Sequence, residues 1–253
     1  MAFPKSCNVF FTDIGVELGV NLRMYAERFG FNRSINIIPG VKDVSFDSAS
    51  SYAFYRMQDN PPSAWNNRDF IQNPKLVAQG AIGQNVVEAT PLQMAMVAAT
   101  IANRGTLLNP HIVRVILSGT PSGTGFGRVI KRFKPVLLSQ AIKFTTAKHI
   151  KDLMVDVMNE GTGSTLEKLY MVNNRYVLSN KPMGTEIAVA AKTGTSDVEN
   201  HHRPDSWFIC FAPANNPEVA VAVVGEHAGY GSQFAGPVAM KVLMTALNEM
   251  QKN

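Results

Sequence analysis

Lys192 closes a run of small apolar residues, "EIAVAAKTGT" (186–195), and is followed at once by Thr193, Gly194 and Thr195. Lysine supplies a point positive charge and the two hydroxyls supply donors. Glycine, which has no Cβ, lets a ligand backbone lie against a strand edge. Together these groups suit a ligand that carries a carboxylate. The plain alternative is a strand running into a polar turn. Lys-Thr-Gly arises by chance in about one chain of this length in twenty, so the tripeptide alone decides little. A second hydroxyl–amide pair, Ser6 and Asn8, precedes an apolar helical stretch. Its plain alternative is a helix N-cap, which both residue types favour, and Ser34-Ile35-Asn36 repeats the spacing.

Other polar candidates are weaker. His201 and His202 are adjacent in a polar loop, with no carboxylate or cysteine at metal-ligand spacing. His111, His149 and His227 are isolated, and no glycine-rich phosphate-binding pattern is present, which argues against nucleotides. The net charge is +5, but no run of Lys or Arg exceeds two, so no nucleic-acid partner is expected. Cys7 and Cys210 do not form a C-x-x-C, and Cys210 sits in an apolar strand pattern that reads as a buried thiol. No apolar stretch reaches membrane-spanning length. The start, "MAFPKSCNVFF", does not read as a signal peptide, so no signal or anchor is expected in this chain.

The elements that must position these groups follow from periodicity. Residues 8–30 have helical spacing, with Leu18, Leu22, Tyr25, Ala26 and Phe29 on one face and breaks or a cap at Gly15, Gly19 and Gly30. Residues 31–79 read as a long excursion with little regular structure. Residues 90–105 are the clearest helix: Thr90 as N-cap, Pro91 at N1, Gln93 completing a capping box and Gly105 as C-terminal stop. Short strands are expected at 111–117 and 129–138, and a helix at 146–160 with Ile150, Leu153, Met154, Val157 and Met158 inward. The period then changes to two. Residues 186–195, 205–214 and 217–226 read as three strands, the last two a hairpin through Ala214-Asn215-Asn216-Pro217. A helix over 237–250 closes the chain, with Val242, Leu243, Ala246 and Leu247 inward. Helices followed by an antiparallel sheet imply α+β. The alternation places Val219, Val221 and Val223 opposite Ala220, Ala222 and Val224. Neither face is polar, so both must be covered. Helices 146–160 and 237–250 are expected on one face and the helical region on the other.

Taken in chain order, Ser6-Cys7-Asn8, Gly83-Gln84, Thr90-Pro91-Leu92-Gln93, Ala102-Asn103 and Lys192-Thr193-Gly194-Thr195 resemble the C-terminal part of a penicillin-binding-protein transpeptidase domain, most like the monofunctional class B type. Family context favours Ser6 over Ser34, because the family's S-x-N motif directly precedes an apolar helix. The resemblance implies the fold shared with serine β-lactamases: an antiparallel sheet, with three of five strands present, covered by helices, plus a helical subdomain. It implies one incomplete domain over 1–253, with 1–145 mainly the helical subdomain and 146–253 the helix, sheet and closing helix.

The chemistry that the resemblance implies is acyl transfer through a serine in an S-x-x-K motif. The substrates are peptidoglycan stem peptides ending in D-Ala-D-Ala, β-lactams acylate the same serine, and no cofactor or metal takes part. Ser6 would relay a proton to the leaving amine, Asn8 would hold a substrate amide oxygen, and Lys192 would supply positive potential beside Ser6. Thr193 and Thr195 would bind the terminal carboxylate, with Gly194 between them, and the Thr195 N–H would form half of an oxyanion hole. The family's place is the extracytoplasmic face of the bacterial membrane, alongside division or elongation proteins.

One departure stands out: no serine in the sequence has a lysine three positions later. The nearest patterns, Thr145 with Lys148 and Thr165 with Lys168, come after the S-x-N motif, whereas the family's nucleophile precedes it. The nucleophile is therefore expected upstream of Met1 and the chain alone is expected to be inactive. The alternatives are a β-lactamase, β-lactam sensor or D,D-carboxypeptidase relative, or a non-catalytic binding fragment.

Overall fold

Gly19 divides the first apolar stretch into two helices, α1 (Asn8–Leu18) and α2 (Val20–Arg28), by adopting φ 53 in a computed structural model of the protein. The structure describes residues 1–33, 35–37, 45–46, 73–84, 87, 89–119, 127–198 and 203–252. Ser34, His201 and His202 lie outside the described residues. The turn at Gly19 rotates the second half of the expected apolar face, so Tyr25 is exposed while Leu18, Leu22, Ala26 and Phe29 are half-buried. Gly15 is not a break. It lies inside α1 against Ala81, where a Cβ would come within 2.1 Å of the Ala81 Cβ.

That contact is with a helix the periodicity did not indicate. Within 31–79, a two-residue ribbon pairs β1 (Ile35–Asn36) with β2 (Ser45–Phe46), and α3 spans Pro74–Ala81. Asn73 caps α3 by accepting from the Leu76 N–H, and Pro74 opens it. Eight residues are too few for a clear apolar period.

Helix α4 (Pro91–Ala102) starts where its cap residues indicate. The Thr90 hydroxyl accepts from the Gln93 N–H at 3.1 Å. The Gln93 amide is fully buried and donates to the Phe29 carbonyl at 2.9 Å, tying α4 to the end of α2. Gly105 stops the helix with φ 86, its N–H bonded to the Thr100 carbonyl.

The expected strand 129–138 is two strands. β3 (Thr106–Asn109) pairs with β6 (Val136–Gln140), and β4 (Val115–Leu117) pairs with β5 (Val129–Arg132). Pro135, which lacks an N–H for the ladder, lies at the break. After helix α5 (Phe144–Asn159) comes a second unanticipated unit, a sheet of β7 (Lys168–Val172), β8 (Arg175–Ser179) and β9 (Thr185–Ile187), in the order β8-β7-β9. Its hairpin turns through Asn173 and Asn174 at φ 48 and φ 59, left-handed values that asparagine tolerates. The segment 186–195 is thus split, because Glu186 and Ile187 pair with β7 and the main sheet begins only at Ala190.

The main sheet is antiparallel, in the order β10 (Ala190–Ser196), β11 (Asp205–Ala212), β12 (Val219–Gly225). On one face, helix α6 (Ala235–Met250) buries Ala239, Met240, Leu243 and Leu247 against Phe208, Cys210, Ala212 and Val221. On the other, Ala98 and Ile101 of α4 meet Ala190, Ile209 and Phe211. Each fully buried large apolar side chain stabilises by about 1.5–3 kcal/mol. The expectation that α5 and α6 share one face is corrected. Helix α5 packs along β10, the end strand, and reaches both sides: Met154 joins the α4 cluster and Met158 the α6 cluster. Two inward assignments are corrected as well, since Leu153 and Val242 are 38% and 47% exposed.

Candidate functional site

Ser6 and Asn8 do not cap a helix. The N-cap of α1 is Cys7, whose side chain makes no capping bond. Ser6 instead sits at φ 53, a left-handed conformation that costs a non-glycine residue about 1 kcal/mol or more. The turn is held by two backbone bonds, Ser6 N–H to the Phe3 carbonyl and Cys7 N–H to the Ala2 carbonyl. The outcome of that turn is a direct contact: the Lys192 ammonium donates to Ser6 Oγ at 2.7 Å. The two residues are 186 positions apart in sequence.

The ammonium also donates to the Thr193 carbonyl at 3.0 Å and lies 5.8 Å from the centre of the Phe3 ring. These partners are neutral, and burial pushes the Lys192 pKa down to about 8. A lysine in that range exchanges protons readily near neutral pH.

Around this contact lies a cleft of about 500 Å³. Asn8, exposed on the first turn of α1, lines it, as do Thr193, Gly194 and Thr195. All five polar residues singled out in the sequence, Ser6, Asn8, Lys192, Thr193 and Thr195, therefore border one cavity. Gly194 borders the cleft and also meets a requirement inside the sheet. A Cβ there would sit 2.9 Å from the Trp207 Cβ on the neighbouring strand, so its bareness serves the sheet interior. The backbone at Gly194 is in turn covered by Gly231, where a Cβ would stand 2.6 Å from the Gly194 carbonyl oxygen.

Several lining residues were not anticipated. Tyr230, Gly231, Ser232 and Gln233 form one wall. The fully buried Ser206 fixes that turn by donating to the Tyr230 carbonyl at 2.9 Å and accepting from the Ala235 N–H at 3.1 Å. Thr162 approaches from the loop after α5, its Oγ1 2.5 Å from Thr193 Oγ1. Gln84 lies along the outer edge of β10, donating to the Thr195 carbonyl and accepting from the Asp197 N–H, each at 3.2 Å. The glycines of Gly161-Thr162-Gly163 and Gly229-Tyr230-Gly231 were the available sequence signal for two of these walls. His227 is engaged elsewhere, its N–H bonded to Asp205. Among the described residues no group of three His, Cys, Asp or Glu could hold a metal ion, and no helix is long and apolar enough to cross a membrane.

An antiparallel sheet between helices, with a lysine–serine contact at its end strand, agrees with the fold that the motif order implies. The chain belongs to the penicillin-binding protein transpeptidase family, whose sequence model matches residues 1–244. It is similar to the peptidoglycan D,D-transpeptidase PbpA of Mycolicibacterium smegmatis, at 30% identity over 98% of this chain and 43% of the relative. It is also similar to the peptidoglycan D,D-transpeptidase MrdA of Acinetobacter baumannii, at 26% identity over 96% of this chain and 34% of the relative. Among solved structures, the D,D-transpeptidase domain from Eggerthella lenta superposes with a TM-score of 0.72 at 31% identity, covering 99% of this chain and 52% of that one. Penicillin-binding protein A of M. tuberculosis, in its imipenem acyl-enzyme complex, gives 0.70 at 27% identity over 97% of this chain and 46% of that one. The chain thus spans less than half the length of the curated relatives it matches.

Proposed function

We propose that the chain forms part of a peptidoglycan D,D-transpeptidase that cross-links stem peptides through a serine acyl-enzyme and binds β-lactams. The observation that carries this reading is the 2.7 Å contact of Lys192 Nζ with Ser6 Oγ, at the mouth of a cleft walled by Thr193 and Thr195. Ser6 passes a proton to the leaving amine, and Lys192, its pKa drawn down to about 8, keeps that hydroxyl oriented and replenished. Asn8 receives a substrate amide oxygen. The hydroxyls of Thr193 and Thr195 take the terminal carboxylate. The Thr195 N–H stabilises the developing oxyanion, and one such donor is worth about 3–4 kcal/mol of barrier.

The attacking serine is not among these groups. Ser6 has Lys192 as its partner and not a lysine one helical turn away in its own sequence. On this reading the chain alone binds but does not acylate. Its substrates are D-Ala-D-Ala stem peptides, and its β-lactam binding follows from the likeness of a β-lactam to that dipeptide. The functional setting is the extracytoplasmic face of a bacterial membrane, with division or elongation proteins as partners.

The test is a titration of the isotope-labelled chain with N-acetyl-D-Ala-D-Ala and with its L,L counterpart. The expected result is saturable amide shifts at Thr193 and Thr195 for the D,D peptide only. Equal responses to both peptides, or none to either, would remove the assignment.

A further inference from the structure

Thr162 is held at the cleft by features outside both sequence motifs. Its N–H donates to the Pro4 carbonyl at 3.0 Å. Its neighbour Gly161 lies so close to that segment that a Cβ would come within 2.4 Å of the Pro4 oxygen. Gly163 faces Met158, where a Cβ would be 2.9 Å from the sulfur. The Lys5 ammonium donates to the Glu160 carbonyl. The loop over 160–163 is therefore pinned to the short segment that carries Ser6, and from that position it reaches β10 with a single side chain. The contact it makes there is hydroxyl to hydroxyl, 2.5 Å between Thr162 Oγ1 and Thr193 Oγ1, and it is partly buried.

A hydroxyl pair at that distance has one proton between its oxygens and one left over. If Thr193 donates to Thr162, it turns only lone pairs toward the cleft and repels an anion. If Thr162 donates to Thr193, the Thr193 proton is free to point at a ligand, and the incoming bond polarises it and strengthens what it gives. We propose that Thr162 is a positioning residue that donates to Thr193 Oγ1, so that the Thr193 hydroxyl presents its proton to a ligand carboxylate. This rests on the reading above that Thr193 meets the substrate's terminal carboxylate. It makes recognition of the anion depend on a residue 31 positions from the Lys-Thr-Gly strand.

Thr162→Val keeps the shape and the N–H bond to Pro4 but deletes the hydroxyl, and Thr162→Ser keeps the hydroxyl. The probes are N-acetyl-D-Ala-D-Ala and its C-terminal amide, titrated against the full chain, with thermal melts as a control on folding. Wild type is expected to prefer the carboxylate. Thr162→Val is expected to lose about three- to tenfold in affinity for the carboxylate, the loss typical of one hydrogen bond between neutral groups, with affinity for the amide unchanged. Thr162→Ser should restore the preference. If Thr162→Val does not fold, Thr162→Ala gives the same reading with less bulk. A carboxylate preference that survives removal of the hydroxyl refutes this role for Thr162 and leaves the transpeptidase reading intact. A wild-type chain that binds neither probe refutes both.

Discussion

Replacing Lys192 by methionine is expected to remove a rise of stability with pH that the wild-type chain shows above about 8. Burial holds the Lys192 ammonium at about 8, against an ordinary value of 10.5. Between those two values the unfolded chain carries a proton on this side chain that the folded chain has released. The unfolded state then binds more protons, so stability rises with pH across that window. Below about 8 both states are charged and the burial penalty is present in full. Each pH step inside the window is worth about 1.4 kcal/mol. Relative to Lys192→Met, the wild-type chain should therefore gain about 3 kcal/mol between pH 8 and 10.5. At pH 7 the variant escapes that penalty but gives up the two ammonium bonds to Ser6 and Thr193, about 1.5–3 kcal/mol each, so the change with pH carries the test.

Other groups titrate in the same range with known signs. Burial raises the Cys210 thiol to about 12, so above its ordinary 9.0 the unfolded chain loses that proton first and stability falls. Burial also raises Tyr176, with the same sign above 10.0, while Lys168, lowered by burial, acts in the direction of Lys192. These contributions are common to both proteins and cancel when urea-denaturation free energies are subtracted at each pH. The difference curve should be level below about pH 8 and turn toward wild type above it. A difference that stays flat from pH 7 to 10 would show that Lys192 is not desolvated and would undo the electrostatic account of the cleft.

Four further outcomes are expected. Incubation with fluorescent penicillin should leave the intact mass of the chain unchanged, because no serine here has a lysine three residues on; any covalent adduct contradicts this. Gly231→Ala should lower stability by about 1–3 kcal/mol, since the new Cβ would stand 2.5 Å from the Trp207 carbonyl oxygen; thermal melts read the effect directly. Asn248→Ala should cost about 1–3 kcal/mol, because the Asn248 amide bonds both the N–H and the C=O of Tyr176, each at 2.8 Å; an unchanged denaturation midpoint would contradict it. At high concentration the isolated chain should self-associate through β12, an end strand of the main sheet, and light scattering that reports a monodisperse monomer would show that edge to be covered.

What the sequence disclosed tracks how local the physical cause is. Thr90, Pro91 and Gly105 announce α4 because capping acts within one turn. The β12 alternation is legible because strand period needs no knowledge of partners. Ser6 and Lys192 were named by residue type and motif order, but their 2.7 Å contact depends on a left-handed turn that no propensity indicates for serine. Thr162 and Gln84 escaped notice as site residues because what matters in them is a single long-range bond. The split of 186–195 between two sheets escaped as well, since Glu186 and Ile187 alternate as smoothly as the strand that follows. Asn173-Asn174 was a readable turn signal, and it marks the β7–β8 hairpin.

The amide of Gln84 has a consequence for how β10 behaves as an open edge. A neighbouring strand pairs by finding donors and acceptors in alternation along a ladder. On β10 the outward carbonyl of Thr193 is already taken by the Lys192 ammonium and that of Thr195 by Gln84, which also occupies the Asp197 N–H. By strand parity, the outward rungs left at Thr193 and Thr195 are both N–H groups. Such an edge is a poor template for another β-strand, which would bring its own N–H groups against sites with no acceptor to offer. It is a good receptor for carbonyl and carboxylate oxygens. The cleft can thus lie open beside an unpaired strand without inviting a second chain to zip onto it, a protection that no side-chain hydrogen bond among the described residues gives β12, at the far end of the same sheet.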